Sequence, residues 1–383
     1  MKKAFINLWL VILFFLLSSQ YVCAMEQAAD APASVRAEVL RSLSVQAKEG
    51  DSLEGSLLAK SQMVEVKILE GPFKGQVIKA EYTLSPGFNE KHKGTTLEKG
   101  DEVRLYIEEN EDGTVKDAYV SDIVRDKYLF FLAAAFVLVL LFVGKLKGVK
   151  ALISLVLTCY GVVKILIPSI LKGYDPVMVS VGVCTGIIVI TLLLVSGWSK
   201  KTLAAIIGTT GGVVTAGIIA QFVGTLAKLT GMGDEQSQML LYLPQTISFD
   251  FRGLLFAGII IGALGAAMDV GMSIASTMHE LHASTPRIKK AELIKAGMNV
   301  GRDIMATMSN TLILAYAGSS LQLLLLLMVY NIPFAEIINK DVIASEIVRS
   351  LAGSIGLIFT IPLTAFAAGI LSKKNTRLRA SRR

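Results

Sequence analysis

The chain has 383 residues, 53% of them apolar, with a mean hydropathy of +0.58. That balance excludes a single large soluble domain and indicates a polytopic membrane protein. The formal net charge is +7, but the cations sit beside hydrophobic runs as topology signals do, so no nucleic-acid partner is expected.

Residues 1–24 open with Lys2 and Lys3, continue through an apolar stretch from Phe5 to Leu17, and end with Val22 and Ala24 before a candidate cleavage point. This is the pattern of a signal peptide, or of an uncleaved anchor; either places residue 25 onward outside the cytoplasm. Residues 25–127 are polar. Val64, Val66 and Ile68 alternate with Glu65 and Lys67, and a Gly71-Pro72-Phe73-Lys74-Gly75 turn leads into a strand around 76–82. Val103, Leu105 and Ile107 alternate in the same way, and Asn110–Gly113 turns the chain back into a strand around 115–124. About five short strands predict a small extracytoplasmic barrel of the SH3 or OB kind. The aromatic and basic interleaving that stacks bases is missing, so the expected role is a spacer or a docking module for an envelope protein partner. With only Cys23, Cys159 and Cys184 in the chain, this domain has no disulfide framework.

Seven hydrophobic spans are predicted, at about 128–144, 151–171, 176–198, 202–226, 253–278, 303–330 and 345–371, followed by a basic tail over 372–383. The sixth is too long for one straight crossing and is expected to tilt or to break at Gly318-Ser319-Ser320. Lys145, Lys147 and Lys150, then Lys200 and Lys201, then Arg287, Lys289, Lys290 and Lys295, and finally the tail fall on one side, which the positive-inside bias makes cytoplasmic. The fold class is therefore mainly α: a seven-span helical membrane bundle carrying a small outer β-barrel-like domain, with the lipid bilayer as its first partner.

The fifth span organises this bundle. Gly258, Gly262 and Gly265 leave one of its faces nearly bare, which predicts close helix packing, and Asp269 then stands inside the span. A carboxylate at that depth costs about 2.5–3.5 kcal/mol on insertion scales, so neighbouring helices or water are expected to shelter it. The sixth span brings Arg302 and Asp303 from the same side, and Asn310 deeper. An Asp269–Arg302–Asp303 cluster would serve either as a proton or cation relay or as a staple between helices. The seventh span begins with Glu346 and Arg349 on one helical face, read as a solvated pair near the outer surface, and contains Pro362, where a kink is expected. Lys164 in the second span is a further possible counter-charge. His279 and His282 lack the spacing of a metal-binding helix, and Gly208–Gly212 lacks the residues of a phosphate loop. No catalytic residue, metal or cofactor is expected, and the chain is not read as an enzyme.

The strings LLFAGIIIGALGAAMDVGMSIASTMHEL, GRDIMATMSNTLILAYAGSS and EIVRSLAGSIGLIFTIPLTA, with GPFKGQ in the outer domain, resemble those of the YibE/F-like bacterial membrane proteins. The resemblance implies a bacterial inner-membrane protein with an external β domain, and its motifs mark Asp269, Arg302, Asp303, Asn310, Glu346 and Arg349. It implies no catalytic role for any of them. The leading expectation is a permease that moves a small solute or ion through spans five to seven; the alternative is a non-transporting scaffold of an envelope complex.

Overall fold

The computed structural model describes residues 34–47, 60–84, 96–110, 114–242 and 249–372. The signal-like segment 1–24 and the tail from 373 lie outside them. The chain divides into two compact units, Met1–Val143 and Gly144–Arg383.

The first unit contains a closed five-stranded barrel of β1 (Val35–Ala47), β2 (Lys60–Ile68), β3 (Val77–Leu84), β4 (Glu102–Glu109) and β5 (Val115–Ile123). The strand order is β1-β2-β3-β5-β4, with a parallel β3–β5 contact at Glu81 and Tyr119. Of the two barrel kinds expected, this order is the OB one. The alternating residues do what their period demands: Val64, Val66, Ile68, Val103 and Leu105 are fully buried. Gln62 is the polar side chain in this core, and it is satisfied by Leu97, donating to its carbonyl at 2.8 Å and accepting from its amide at 2.9 Å. Gly71 and Gly75 adopt φ of 84° and 90°, the conformation for which the β2–β3 turn needs glycine.

The helical part runs through α1 (Asp126–Tyr160), α2 (Pro176–Ser196), α3 (Lys200–Leu226), α4 (Phe251–Ser284), α5 (Lys290–Ser319), α6 (Leu321–Val329) and α7 (Asp341–Leu371), with short helical turns between. Three starts are capped by their own sequence: Asp175, Ser199 and Asp250 accept from the amides of Met178, Thr202 and Gly253. Helix α4 contributes to all three apolar clusters of this unit, through Ile260 and Ala267 in one, Phe256 and Ile259 in another, and Val270 and Ile274 in the third. Helix α7 does the same through Ala367, Val348 and Leu357, so α4 and α7 share the centre of this unit.

Five helices, rather than the seven spans expected, are long and apolar enough to cross a membrane, or six if α5 and α6 count as one bent span. The difference lies at the start. Residues 128–144 and 151–171 fall within a single 46-residue run, Asp126–Leu171, because the helix resumes directly after a non-helical Lys145 (φ 48°, ψ −127°). A π-helical turn, Gly161–Leu166, holds the exposed Lys164 in this run. The break expected at Gly318–Ser320 is present, as a 60° bend between α5 and α6. Helix α7, by contrast, stays continuous through Pro362.

Close packing between helices is built on glycines, including Gly262 of the three singled out but not Gly258 or Gly265. A side chain at Gly208 or Gly212 of α3 would enter Thr364 or Thr360 of α7, and one at Gly356 of α7 would enter Ala216 of α3. Gly297 and Gly301 let α5 lie against Met278 of α4 and Ile361 of α7. Nothing stands within 4 Å of where a Cβ would be at Gly258 or Gly265, whereas at Gly262 a side chain would enter Tyr316 of α5. Among the described residues the predicted packing face of α4 is therefore met at Gly262 and open at Gly258 and Gly265, while its other faces meet α2, α3 and α7.

Candidate functional site

Three polar features of the helical unit could carry function. The first is a cavity of about 120 Å³ at the starts of α4 and α7, lined by Gly231, Gly233 and Asp234 of the α3–α4 connection and by Ser345, Glu346 and Arg349 of α7. The connection is held over it by hydrogen bonds. The Thr230 amide and hydroxyl donate to the Asp341 carboxylate at 3.1 and 2.7 Å, and Arg252 donates to the Leu229 carbonyl at 2.9 Å. Gly231 has φ 74° and approaches the Phe251 carbonyl so closely that no side chain fits.

Within this cavity Arg349 donates to Glu346 at 2.5 Å. The pair was expected to be solvated at the surface. It is instead mostly buried, since the connection folds over it. The Tyr316 hydroxyl of α5 lies within electrostatic reach of both. Glu346 Oε2, Arg349 Nε, Ser345 Oγ and Tyr316 Oη are buried atoms without a hydrogen-bond partner among the described residues. Such groups are costly unless a ligand or water satisfies them, and the cavity has room for several waters.

The second feature is the face shared by α4 and α5. On α4, Gly258, Gly262, Gly265 and Asp269 follow at spacings of four, three and four and form one exposed line. On α5, Arg302, Ser309 and Tyr316 recur every seven residues along the flank that meets this line at Gly262. Ser309 Oγ is buried without a partner. The expected Asp269–Arg302–Asp303 cluster does not form. Arg302 donates to Asn299 of its own helix at 3.2 Å, while Asp269, Asp303 and Asn310 are exposed and make no hydrogen bond or ion pair among the described residues. The reason is register. Contacts of Gly297 with Met278, Gly301 with Ile274 and Gly262 with Tyr316 place Asp269 opposite residues 306–309, at least about one helical turn past Arg302. The shelter expected for Asp269 is likewise not supplied by the helices of its own chain.

The third feature is a pocket of about 370 Å³ where the ends of α4 and α7 meet the start of α3, lined by Lys200, Lys201, His279 and His282 among apolar residues. His279 and His282 thus stand beside two ammonium groups, a setting that favours an anion over a metal ion. Sequence reasoning missed this grouping because Lys200 and His279 are brought together only by tertiary packing.

In the barrel unit one group of charges is paired across the start of β1, β4 and the first turn of α1. Arg36 donates to Glu102 at 2.5 Å and to Asp126 at 3.2 Å, and Lys127 also bonds Glu102. The Lys127 hydrogen bond, then that of Arg36, holds the Glu102 carboxyl below its ordinary value, and the bond to Glu102 raises Arg36. Arg125, with the Ile123 amide, likewise lowers Asp122.

A family model described as YibE/F-like protein matches residues 132–374, well over half of the chain. The match begins within α1, so the barrel and its GPFKGQ turn lie outside it. No curated protein and no solved structure matches the chain.

Proposed function

The chain belongs to the YibE/F-like family, and from that premise we propose that it is a multi-span inner-membrane permease for a small solute or ion. Its route starts between α4, α5 and α7 at the Glu346–Arg349 cavity and runs past Tyr316 and Ser309 along the open α4–α5 face to Asp269 and Asp303. The observation that carries this reading is the line of polar groups along one flank of α5, with Tyr316 and Ser309 buried and unpartnered among the described residues and Arg302 bonded only within its own helix. From Tyr316 to Arg302 it covers about 21 Å at 1.5 Å per residue, some two-thirds of a hydrocarbon core of roughly 30 Å. Asp269 and Asp303 bind the proton or cation.

The long first run supports seven crossings. Its 46 residues would extend about 69 Å, more than twice a bilayer core, so it divides at Lys145 into two crossings with Lys145, Lys147 and Lys150 on the cytoplasmic side. The barrel then stands outside the cytoplasm as a gating or docking module, and the chain performs no catalysis.

Proton flux into vesicles reconstituted with the full chain, followed with an internal pH dye under an imposed membrane potential, tests the reading. Flux with the wild type and its loss in Asp269→Asn and Asp303→Asn protein is the expected result. Correctly inserted double-variant protein that kept full flux would exclude the relay. The open face of α4 favours a second reading, a non-transporting accessory protein whose acids contact a partner. Absence of flux together with a stoichiometric envelope protein on purification would select it.

A further inference from the structure

We propose that the open α4–α5 face is closed by a second copy of this chain, related to the first by a two-fold axis along the membrane normal. The inference rests on the membrane reading above but not on transport.

The first argument is cost. Asp269, Asp303 and Asn310 are exposed and unpartnered, and charged or amide side chains facing lipid are expensive. The outward face of α5 is polar over Asn299, Asp303, Thr307 and Asn310, then apolar at Leu314. Lipid suits the later part of that face and not the earlier part. The second argument is access. With nothing near Gly258 or Gly265, another helix can reach the backbone of α4. In lipid, where apolar side chains gain nothing by leaving the solvent, small residues and polar contacts are what hold helices together.

The third argument selects the occupant. The face carries both signs, and Arg302 and Asp303 are successive residues, about 1.5 Å apart in height. A two-fold axis along the normal brings equal heights together. Arg302 then meets Asp303 of the partner subunit, and the reciprocal pair forms at the same time. A purely cationic partner would leave Arg302 opposed, and a purely anionic one would leave both acids opposed. The apolar segment 5–17 of the chain itself offers no group for Asp303 or Asn310.

Oxidative cross-linking in native membranes tests this, using full-length protein with Cys23, Cys159 and Cys184 replaced by serine. Ala306→Cys on the outward face of α5 is expected to give a disulfide-linked species of roughly twice 41.2 kDa, and Ile218→Cys on the exposed side of α3 is not. Adding Arg302→Asp or Asp303→Arg lowers the linked fraction several-fold, and the two together restore it. Because variants can misfold, the mass of wild-type particles in lipid nanodiscs is measured in parallel. Monomeric wild-type particles, equal cross-linking at both positions, or capture of a different protein at Ala306→Cys would each overturn the proposal. A dimer without flux would leave the interface standing and remove only the permease reading.

Discussion

Two glycine-lined faces of the helical unit differ in what covers them. On α3, Gly208 and Gly212 are closed over by Thr364, Thr360 and Gly356 of α7. On α4, Gly258 and Gly265 meet nothing, and the line continues into an unpaired Asp269. The closed face presents hydroxyls, methyl groups and a backbone carbonyl, but no charge, near its glycines. The open one adjoins a carboxylate and, on α5, an adjacent guanidinium and carboxylate. Glycine spacing shows that a helix can come close. The charges beside the glycines decide what must come close, and here nothing among the described residues answers them.

The contrast is sharpest at the closed face. Gly212→Leu would drive a side chain into Thr360 and the Gly356 carbonyl, costing about 3 kcal/mol or more, seen as loss of a monodisperse peak in detergent. Next comes the mostly buried pair, which has its partner within the chain: Glu346→Gln leaves Arg349 uncompensated and costs about 1–2 kcal/mol, less than the roughly 3–5 of a fully buried pair, read as a lower unfolding midpoint. Asp303→Asn, which loses no partner within its own chain among the described residues, leaves the midpoint of the detergent-dispersed monomer unchanged.

Smaller still is the acid response of the barrel. Glu102 has a folded value lowered from an ordinary 4.5, so its stabilising contribution is present above that value and fades as pH falls through the lower folded one. Amides of β4 and β5 in the full chain should exchange faster below that window. In Glu102→Gln protein the acid dependence shrinks, by under about 1 kcal/mol because Lys127 is largely exposed. The smallest effect on stability is expected at the open face: Gly265→Leu shifts the midpoint by no more than about 0.5 kcal/mol, yet it blocks the Ala306→Cys cross-link.

Much of this fold is legible in the sequence because burial imposes a period. Val64, Val66 and Ile68 show a strand whose inner face is apolar, and the break at Ser320 is written in Gly318-Ser319-Ser320. Strand β1 is not singled out by the same reasoning, since Arg36, Glu38 and Arg41 mask its two buried positions, Ala37 and Val39. The site is legible as a set of residues but not as a set of contacts. Asp269, Arg302 and Asp303 are conspicuous in apolar surroundings, but their meeting depends on helix register, and about one turn of offset separates them. Nor does a period show which glycine face is used: Gly212 and Gly265 look alike in sequence, and only the competition of four neighbours around α4 leaves one of them bare.

The bend at Ser320 has a mechanical consequence. Helix α6 has nine residues, so it is about 14 Å long, and at 60° to α5 it advances along that helix by only about 7 Å. A straight extension would have gone twice as far along that axis. The rest of its length runs sideways, presenting Leu325, Met328 and Val329 as a broad apolar float. In a bilayer, as the proposed reading requires, this arm would lie largely along the membrane plane instead of completing a straight crossing.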